Sequence, residues 1–176
     1  AFSKVSGVDK ISAISFPMGT WQDASSDVRI KAEDEKTGVR DYYIDENYLT
    51  HFDLKLVAGE NFSQNLAQQK ELFAIVNETF IQRFELGDPA ESIGQSIVLG
   101  DSTHLTIRGV VADFLFKPSN YAIEPLLLRY NPDQFGTLNL SLSSADIPST
   151  ITALEHNWQQ LADVPLEAKF FDEVIE

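Results

Sequence analysis

The stretch Leu72–Phe84, LFAIVNETFIQRF, decides how the rest of the chain is read. Leu72 to Val76 are apolar and partly β-branched, which suits a buried strand. Asn77 ends the run with a side chain able to accept from the N–H groups that open a helix. Glu78 to Phe84 then set Phe80, Ile81 and Phe84 on one face at helical spacing, and Gly87 and Pro89 stop the helix. The Asn77-Glu78 pair invites a catalytic reading. Its position gives a simpler one: Asn77 caps the helix and Glu78 favours its positive end.

Upstream, Val8–Phe16 alternates loosely and is closed by Pro17 and Gly19, which predicts a strand. Trp21 to Ser26 reads as a loop. Asp27–Asp45 reads as a hairpin turning on Glu35-Lys36-Thr37-Gly38, with Val39–Ile44 returning. Asp45 is placed to cap a short helix carrying Tyr48, Leu49 and Phe52, and Leu54–Val57 forms a brief strand ended by Ala58-Gly59. Asn61–Gln69 is a polar surface segment.

Downstream, Asp88-Pro89-Ala90-Glu91 has the order of a capping box. Ser96–Leu99 and Leu105–Ala112 read as strands across Gly100-Asp101-Ser102. Ile123–Tyr130 reads as a strand which Pro125 assigns to an edge. Thr137–Leu142 alternates strictly. Pro148 and Ser149 open a helix with Ile151, Leu154, Trp158 and Leu161 in one stripe, and Leu166–Phe171 follows Pro165 as a terminal strand. That strand–helix–strand unit is expected to pair with the N-terminal strand, so that both ends of the chain lie together and the middle is an insertion.

The 176 residues suffice for one substantial core or two small ones, and 43% hydrophobic with 23% charged residues is ordinary for a folded domain. No run approaches the about 20 apolar residues that cross a bilayer, and Ala1–Lys10 lacks the pattern of a signal peptide. A formal net charge of −14 argues against nucleic acid or an anionic lipid surface as partner. With no cysteine there is neither a disulfide nor a thiolate site.

No catalytic motif is present: no nucleophile elbow, glycine-rich phosphate loop or paired-histidine zinc helix. His51, His104 and His156 fall on three separate elements, so no shared metal site is expected. Glu33-Asp34-Glu35, Asp45-Glu46 and Asp172-Glu173 offer paired carboxylates, but a solvated turn and a helix cap explain the first two. Asn61, Asn77 and Asn139 each open a glycosylation triplet. Trp21 sits in a polar loop, as a contact residue or folded back on the domain, and Trp158 is expected in the core.

The order of pieces from Tyr42 to Pro132 resembles the MacB-like periplasmic core domain of bacterial ABC-transporter permeases, which also carry an FtsX-like membrane domain. The resemblance runs through Tyr43-Ile44-Asp45-Glu46-Asn47-Tyr48-Leu49 with Phe52, through Leu56-Val57-Ala58-Gly59 with Phe62, and through Ala74-Ile75-Val76-Asn77-Glu78-Thr79. It continues in Ser92-Ile93-Gly94-Gln95 with Ile97, and in Ile107-Arg108-Gly109-Val110-Val111-Ala112-Asp113-Phe114. Glu60 and Ala112 depart from the family pattern, which has a basic and a polar residue there. The tail, Trp158 through Phe170-Phe171-Asp172-Glu173, is similar to the segment that leads into the second transmembrane helix.

The resemblance implies an α+β fold. Residues 1–43 with 122–176 would form a porter-like strand–helix–strand subdomain, and 44–121 a smaller inserted mixed α/β, Sabre-like subdomain. It implies a non-catalytic, extracytoplasmic (periplasmic) domain of an inner-membrane protein, with no catalytic, cofactor or metal residues. Conformational change driven by cytoplasmic ATP hydrolysis would pass through it to substrate export or release, or to a periplasmic partner. Implied partners are a cytoplasmic ATPase, a second permease copy, and a periplasmic adaptor or an exported peptide or lipoprotein; the isolated domain is expected to be a monomer. Two other classes remain open from the residues. One is a free-standing secreted ligand-binding module using Trp21, Tyr121 and Tyr130, and the other a hydrolase using Asp45, Glu46 and Asp113.

Overall fold

The computed structural model describes residues 2–20, 22, 24–63, 71–117, 121–143 and 145–171. Its strands are β1 (Val8–Ile14), β2 (Ala24–Arg29), β3 (Thr37–Tyr43), β4 (Leu56–Gly59), β5 (Phe73–Asn77), β6 (Ser96–Leu99), β7 (Thr103–Val111), β8 (Leu126–Arg129) and β9 (Thr137–Leu142). Its helices are α1 (Tyr48–His51), α2 (Glu78–Arg83), α3 (Pro89–Ser92) and α4 (Ile147–Gln159). The class is α+β, as the sequence predicts.

Seven strands form one sheet in the order β4-β7-β5-β8-β3-β2-β6, and β6 pairs again with β7. The order therefore closes into a ring, β7-β5-β8-β3-β2-β6 and back to β7, with β4 lying beside β7. Parallel pairing occurs between β5 and β7 and between β3 and β8. All six ring strands send apolar residues into one cluster: Val28, Val39, Val76, Ile97, Ile107 and Leu127 among them, together with Phe80 and Ile81 of α2. A second cluster lies on the other face of β3, β8, β5 and β7. There Tyr42, Ile44, Leu126, Leu128, Ile75 and Val111 are covered by Tyr48 and Leu49 of α1 and by Met18, Phe62 and Phe116. Strands buried on both faces need continuous apolar runs, and Leu126-Leu127-Leu128 is such a run.

This places β8 in the middle of the sheet, where Pro125 predicts an edge. Pro125 precedes the first paired residue, and its carbonyl accepts the Arg40 N–H at 2.9 Å. Its missing N–H is never asked for. The β2–β3 hairpin also starts earlier than its pattern suggests. Ala24 to Ser26 are strand opposite Asp41 to Val39, and Thr37-Gly38, expected in the turn, are paired. The turn at 30–36 is tightened by the Lys31 N–H donating to Asp34 Oδ2 at 2.8 Å. Asp45 does not cap α1: Asn47 holds the N-cap position, and Asp45 accepts from the Asn47 N–H at 3.2 Å.

The N-terminal strand pairs with the strand at Thr137–Leu142. β1 and β9 form a separate antiparallel pair, from Val8↔Leu142 to Ile14↔Thr137. Ile11, Leu140 and Leu142 on one face of that pair pack with Phe2, Val5 and Leu154 of α4 in a third cluster. The large sheet runs across the expected divisions at 43/44 and 121/122, because β5 pairs with β8 and β8 with β3. The terminal strand does not form among residues 165–171. Trp158 Nε1 donates to the Val164 carbonyl at 2.7 Å and folds the chain back on α4, leaving Leu161, Phe170 and Phe171 more than half exposed. Trp158 itself is half-buried, stacked on Phe2 with ring centroids 6.3 Å apart.

β4 and β7 approach at two glycines. A Cβ on Gly59, where φ is +73°, would lie 2.1 Å from the Arg108 carbonyl oxygen, and one on Gly109 would lie 2.7 Å from the Glu60 carbonyl oxygen. Gly59→Ala combines a left-handed backbone with a backbone clash, so it should cost about 2 kcal/mol or more. A urea midpoint within error of the parent would refute the close approach.

Candidate functional site

The chemistry-bearing side chains gather into three polar clusters, and the first is built on Asn77. β5 carries Asn77 to the end of the ring closed by α2, with its side chain fully buried. Its Oδ1 accepts from the Phe80 N–H at 3.0 Å and the Leu126 N–H at 2.9 Å. Its Nδ2 donates to Asp113 Oδ1 at 2.8 Å and to the Glu124 carbonyl at 3.0 Å. That is the whole hydrogen-bonding capacity of an amide. Asp113, just past β7, also takes the Thr79 N–H at 3.0 Å and the Thr79 hydroxyl at 2.7 Å, while its own N–H donates to Glu78 Oε2 at 3.1 Å. Both Asp113 oxygens are engaged in joining β5 to β7, which leaves neither as a free base.

The second cluster closes the opposite end of the ring face. Arg129 on β8 is 8% exposed and Asp41 on β3 is 3% exposed. Arg129 Nε donates to Asp41 Oδ1 at 3.0 Å, its Nη2 reaches Asp41 Oδ2, and its Nη1 donates to Glu71 Oε2 at 2.6 Å. Asn131 Nδ2 and the Ser26 hydroxyl donate to Glu71 and Asp41 respectively. The guanidinium also lies over the Tyr43 ring, 4.3 Å from its centroid. A buried ion pair survives desolvation better when its members make further hydrogen bonds, and here each guanidinium nitrogen donates one. Burial pushes the Tyr43 hydroxyl up to about 12.

The third cluster is His51, at the end of α1. Its Nδ1 meets the Ser12 hydroxyl of β1 at 2.7 Å, and its Nε2 meets the Ser141 hydroxyl of β9 at 2.7 Å. The ring stacks on Phe52 with centroids 4.8 Å apart. A serine beside a histidine suggests an activated nucleophile. That chemistry needs a third group to orient the base and donors for an oxyanion, whereas here a second serine holds the other nitrogen. The imidazole bridges elements. Burial, with help from the Lys10 ammonium, holds its pKa below 6.5.

His104 on β7 and His156 on α4 are exposed and take no part in this bridge. Among the described residues no group of three His, Asp or Glu is placed to hold a metal ion. Glu33, Asp34 and Glu35 stand exposed in the β2–β3 turn. Burial raises Asp45 above 3.8, against the pull of backbone N–H donors. Trp21, Asp172 and Glu173 lie outside the described residues. The triplet asparagines are engaged or enclosed. Asn61 Nδ2 donates to the Glu46 carbonyl at 2.8 Å, Asn77 is saturated, and Asn139 Nδ2 is enclosed on β9. Tyr130 packs between Phe62 and Phe135, and Tyr121 is 43% exposed beside Lys117. The recess at Phe114–Lys117 and Tyr121–Ile123 encloses essentially no free volume, whereas small-molecule pockets hold about 300–1,000 Å³.

The Arg129–Asp41 and His51 clusters were missed by sequence reasoning. Arg129 and Asp41 are 88 residues apart, and His51 is 39 and 90 residues from its serines. The departure at Glu60 has a structural answer: Arg108 Nη2 donates to Glu60 Oε2 at 2.7 Å, its Nε donates to the Asn61 carbonyl, and its guanidinium lies 5.4 Å from the Phe73 centroid.

Residues 3–156 match the family model for the MacB-like periplasmic core domain. Among solved structures, the periplasmic region of MacB from Actinobacillus actinomycetemcomitans superposes with a TM-score of 0.61 at 14% identity, over 90% of this chain and 70% of that one. The extracellular domain of the noncanonic ABC-type transporter YknZ from Gram-positive bacteria gives 0.63 at 17% identity, over 90% and 80%. A domain of a putative permease from Porphyromonas gingivalis gives 0.62 at 14% identity, over 98% and 85%. No curated protein sequence matches the chain. The asparagine and aspartate of the first cluster lie within the matched span.

Two predictions follow from the clusters. Asn77→Asp keeps the acceptor oxygen but sets a carboxylate against Asp113, and should cost about 3 kcal/mol at neutral pH. Lowering the pH until one of the two carboxyls takes a proton should recover part of it. A denaturation midpoint that is unchanged, or that falls in parallel with the parent on acidification, would refute the Asn77–Asp113 contact. For His51 the folded pKa lies below the unfolded one, so the unfolded chain binds the proton more tightly. The stability this group contributes is complete above pH 6.5 and declines as the pH falls below that value. Thermal melts of His51→Gln should lack this component of the acid slope.

Proposed function

The chain belongs to the MacB-like periplasmic core domain family, and we propose that it is an extracytoplasmic domain of an ABC-transporter permease that transmits motion and performs no chemistry of its own. In this reading both ends of the domain lead to transmembrane helices. ATP hydrolysis at a cytoplasmic ATPase moves those helices, and the domain carries the movement outward to export or release a substrate or to engage a periplasmic partner. A second permease copy would face it across the transport path. Peptides, lipoproteins and adaptor proteins are the substrate and partner classes the family suggests.

The observation that carries the proposal is the antiparallel β1–β9 pair. It joins the N-terminal strand to β9, the strand that leads into α4, residue against residue from Val8↔Leu142 to Ile14↔Thr137. A force applied at both ends therefore enters the domain through one stiff element. The subdomains that follow are an end-built piece, β1 with β9 and α4, and the strand ring with its covering layer. No helix among the described residues is long and apolar enough to cross a membrane. The Asn77 and Arg129 clusters serve this role as fixed joints. Each satisfies its own members, which stiffens a body that transmits load.

The test is a full permease reconstituted with its ATPase, in which residues 3–156 are replaced by a flexible linker. ATP hydrolysis should continue while export or release is lost. Export at the parent rate would overturn the proposal, and turnover of a peptide or lipoprotein by the purified chain alone would replace it with an enzyme.

A further inference from the structure

We infer that the seam between the end-built piece and the strand ring is a hinge, with His51 as its latch. The two bodies have separate apolar cores. Phe2, Val5 and Leu154 belong to one, and Tyr42, Ile44 and Leu49 to the other. The surface between them is polar. β1 presents Lys10 and Ser12 there, and β9 presents Ser141, while the alternate positions Ile11, Leu140 and Leu142 face α4. Apolar surfaces interlock and resist sliding, whereas hydrogen bonds across a polar seam can be exchanged for water at small net cost.

The seam has a fixed end. The Ile14↔Ile44 bridge, the Ser15 N–H donating to the Tyr43 carbonyl at 2.9 Å and the Asp45 N–H donating to the Ala13 carbonyl at 3.0 Å join β1 to the end of β3. Ile14 is fully buried in the ring's outer cluster. This is the pivot. Away from it, His51 spans the seam by gripping β1 and β9 at once through Ser12 and Ser141. The Lys10–Asp53 pair further out is 3.9 Å long with Asp53 90% exposed, and such a pair adds little. The end-built piece is therefore held at one side by backbone and at the other by one imidazole, with Phe171 of the segment after α4 touching Phe52 at 6.1 Å between ring centroids.

The latch deepens the transmission reading and depends on it only for its purpose; the joint itself is a property of this chain. Because the chain has no cysteine, His104→Cys and His156→Cys place spin labels uniquely, one on an exposed position of β7 and one on α4. The parent should give one narrow label-to-label distance. Releasing one hydroxyl contact in Ser12→Ala or Ser141→Ala should raise the displaced population about tenfold, and His51→Phe, which keeps the stack on Phe52, about a hundredfold. Amide exchange in β5 and β8 should not change. An unaltered narrow distance in all three variants overturns the hinge. Faster exchange in β5 and β8 matching the rise in the displaced population overturns it as well, since His51 would then support the whole fold. Should His51→Phe not fold, the two serine variants decide alone. A failed export assay would leave these distances unaffected, so the two proposals fall separately.

Discussion

One buried amide holds the ring together. Asn77 spends two acceptor sites on the backbone N–H groups of Phe80 and Leu126, and two donors on Asp113 and the Glu124 carbonyl. It thereby fixes four things: the start of α2, the start of β8, the exit of β7 and its own strand. No apolar residue could replace it, because each of those groups would then be buried without a partner. Aspartate would supply only half the pattern. The surrounding geometry explains why the next two residues are Glu and Thr: Glu78 returns to the Asp113 N–H and Thr79 holds both Asp113 oxygens. The motif is a knot in the backbone.

With that end of the ring tied, the opposite end needs a different device. There the ring face narrows to Asp41, Arg129 and Glu71, three charged groups at the margin of an apolar interior. The planar guanidinium suits the site because it can serve two carboxylates in a fork and still lie flat on Tyr43. Lysine has the charge but neither the fork nor the face. At the Asn77 end, Arg40 plays a similar part on the outside, gripping Glu124 through two bonds of 3.0 and 3.1 Å. Its guanidinium, helped by Lys117, holds the Glu124 carboxyl below 4.5.

Local grammar told the truth wherever the interaction was local. The strand at Phe73–Asn77, its Asn cap and the capping box at Asp88 are all contained within a few residues, and all stand where the pattern predicts. The pairing of β1 with β9 was also legible, because a loosely alternating N-terminal strand and a strictly alternating one at Thr137–Leu142 leave few other partners. Errors came where a neighbour elsewhere in the chain overrode the pattern. Pro125 marks an edge only if its own N–H position falls inside the ladder, and it falls just outside. Residues 166–171 alternate well enough for a strand, but Trp158 draws the preceding chain back onto α4. Ring closure, the Arg129 network and the His51 bridge depend on residues brought together from distant parts of the chain, and no spacing rule reports them.

The alternation that revealed β1 and β9 also held a clue to their polar side that is easily read the wrong way. Lys10, Ser12 and Ser141 sit on the face opposite the leucines, and polar residues on one face of a strand ordinarily mean solvent. Ser12, however, is fully buried. A short polar residue can be buried without penalty only if something reaches it, and α1 lies over that face with His51 at its end. Two small hydroxyls and one half-buried imidazole satisfy one another there, where a pair of leucines would have fused the two bodies into one core. A domain selected only for stability would gain from that fusion. Keeping the seam polar, at one side of a backbone pivot, gives up packing in exchange for two bodies able to move against each other.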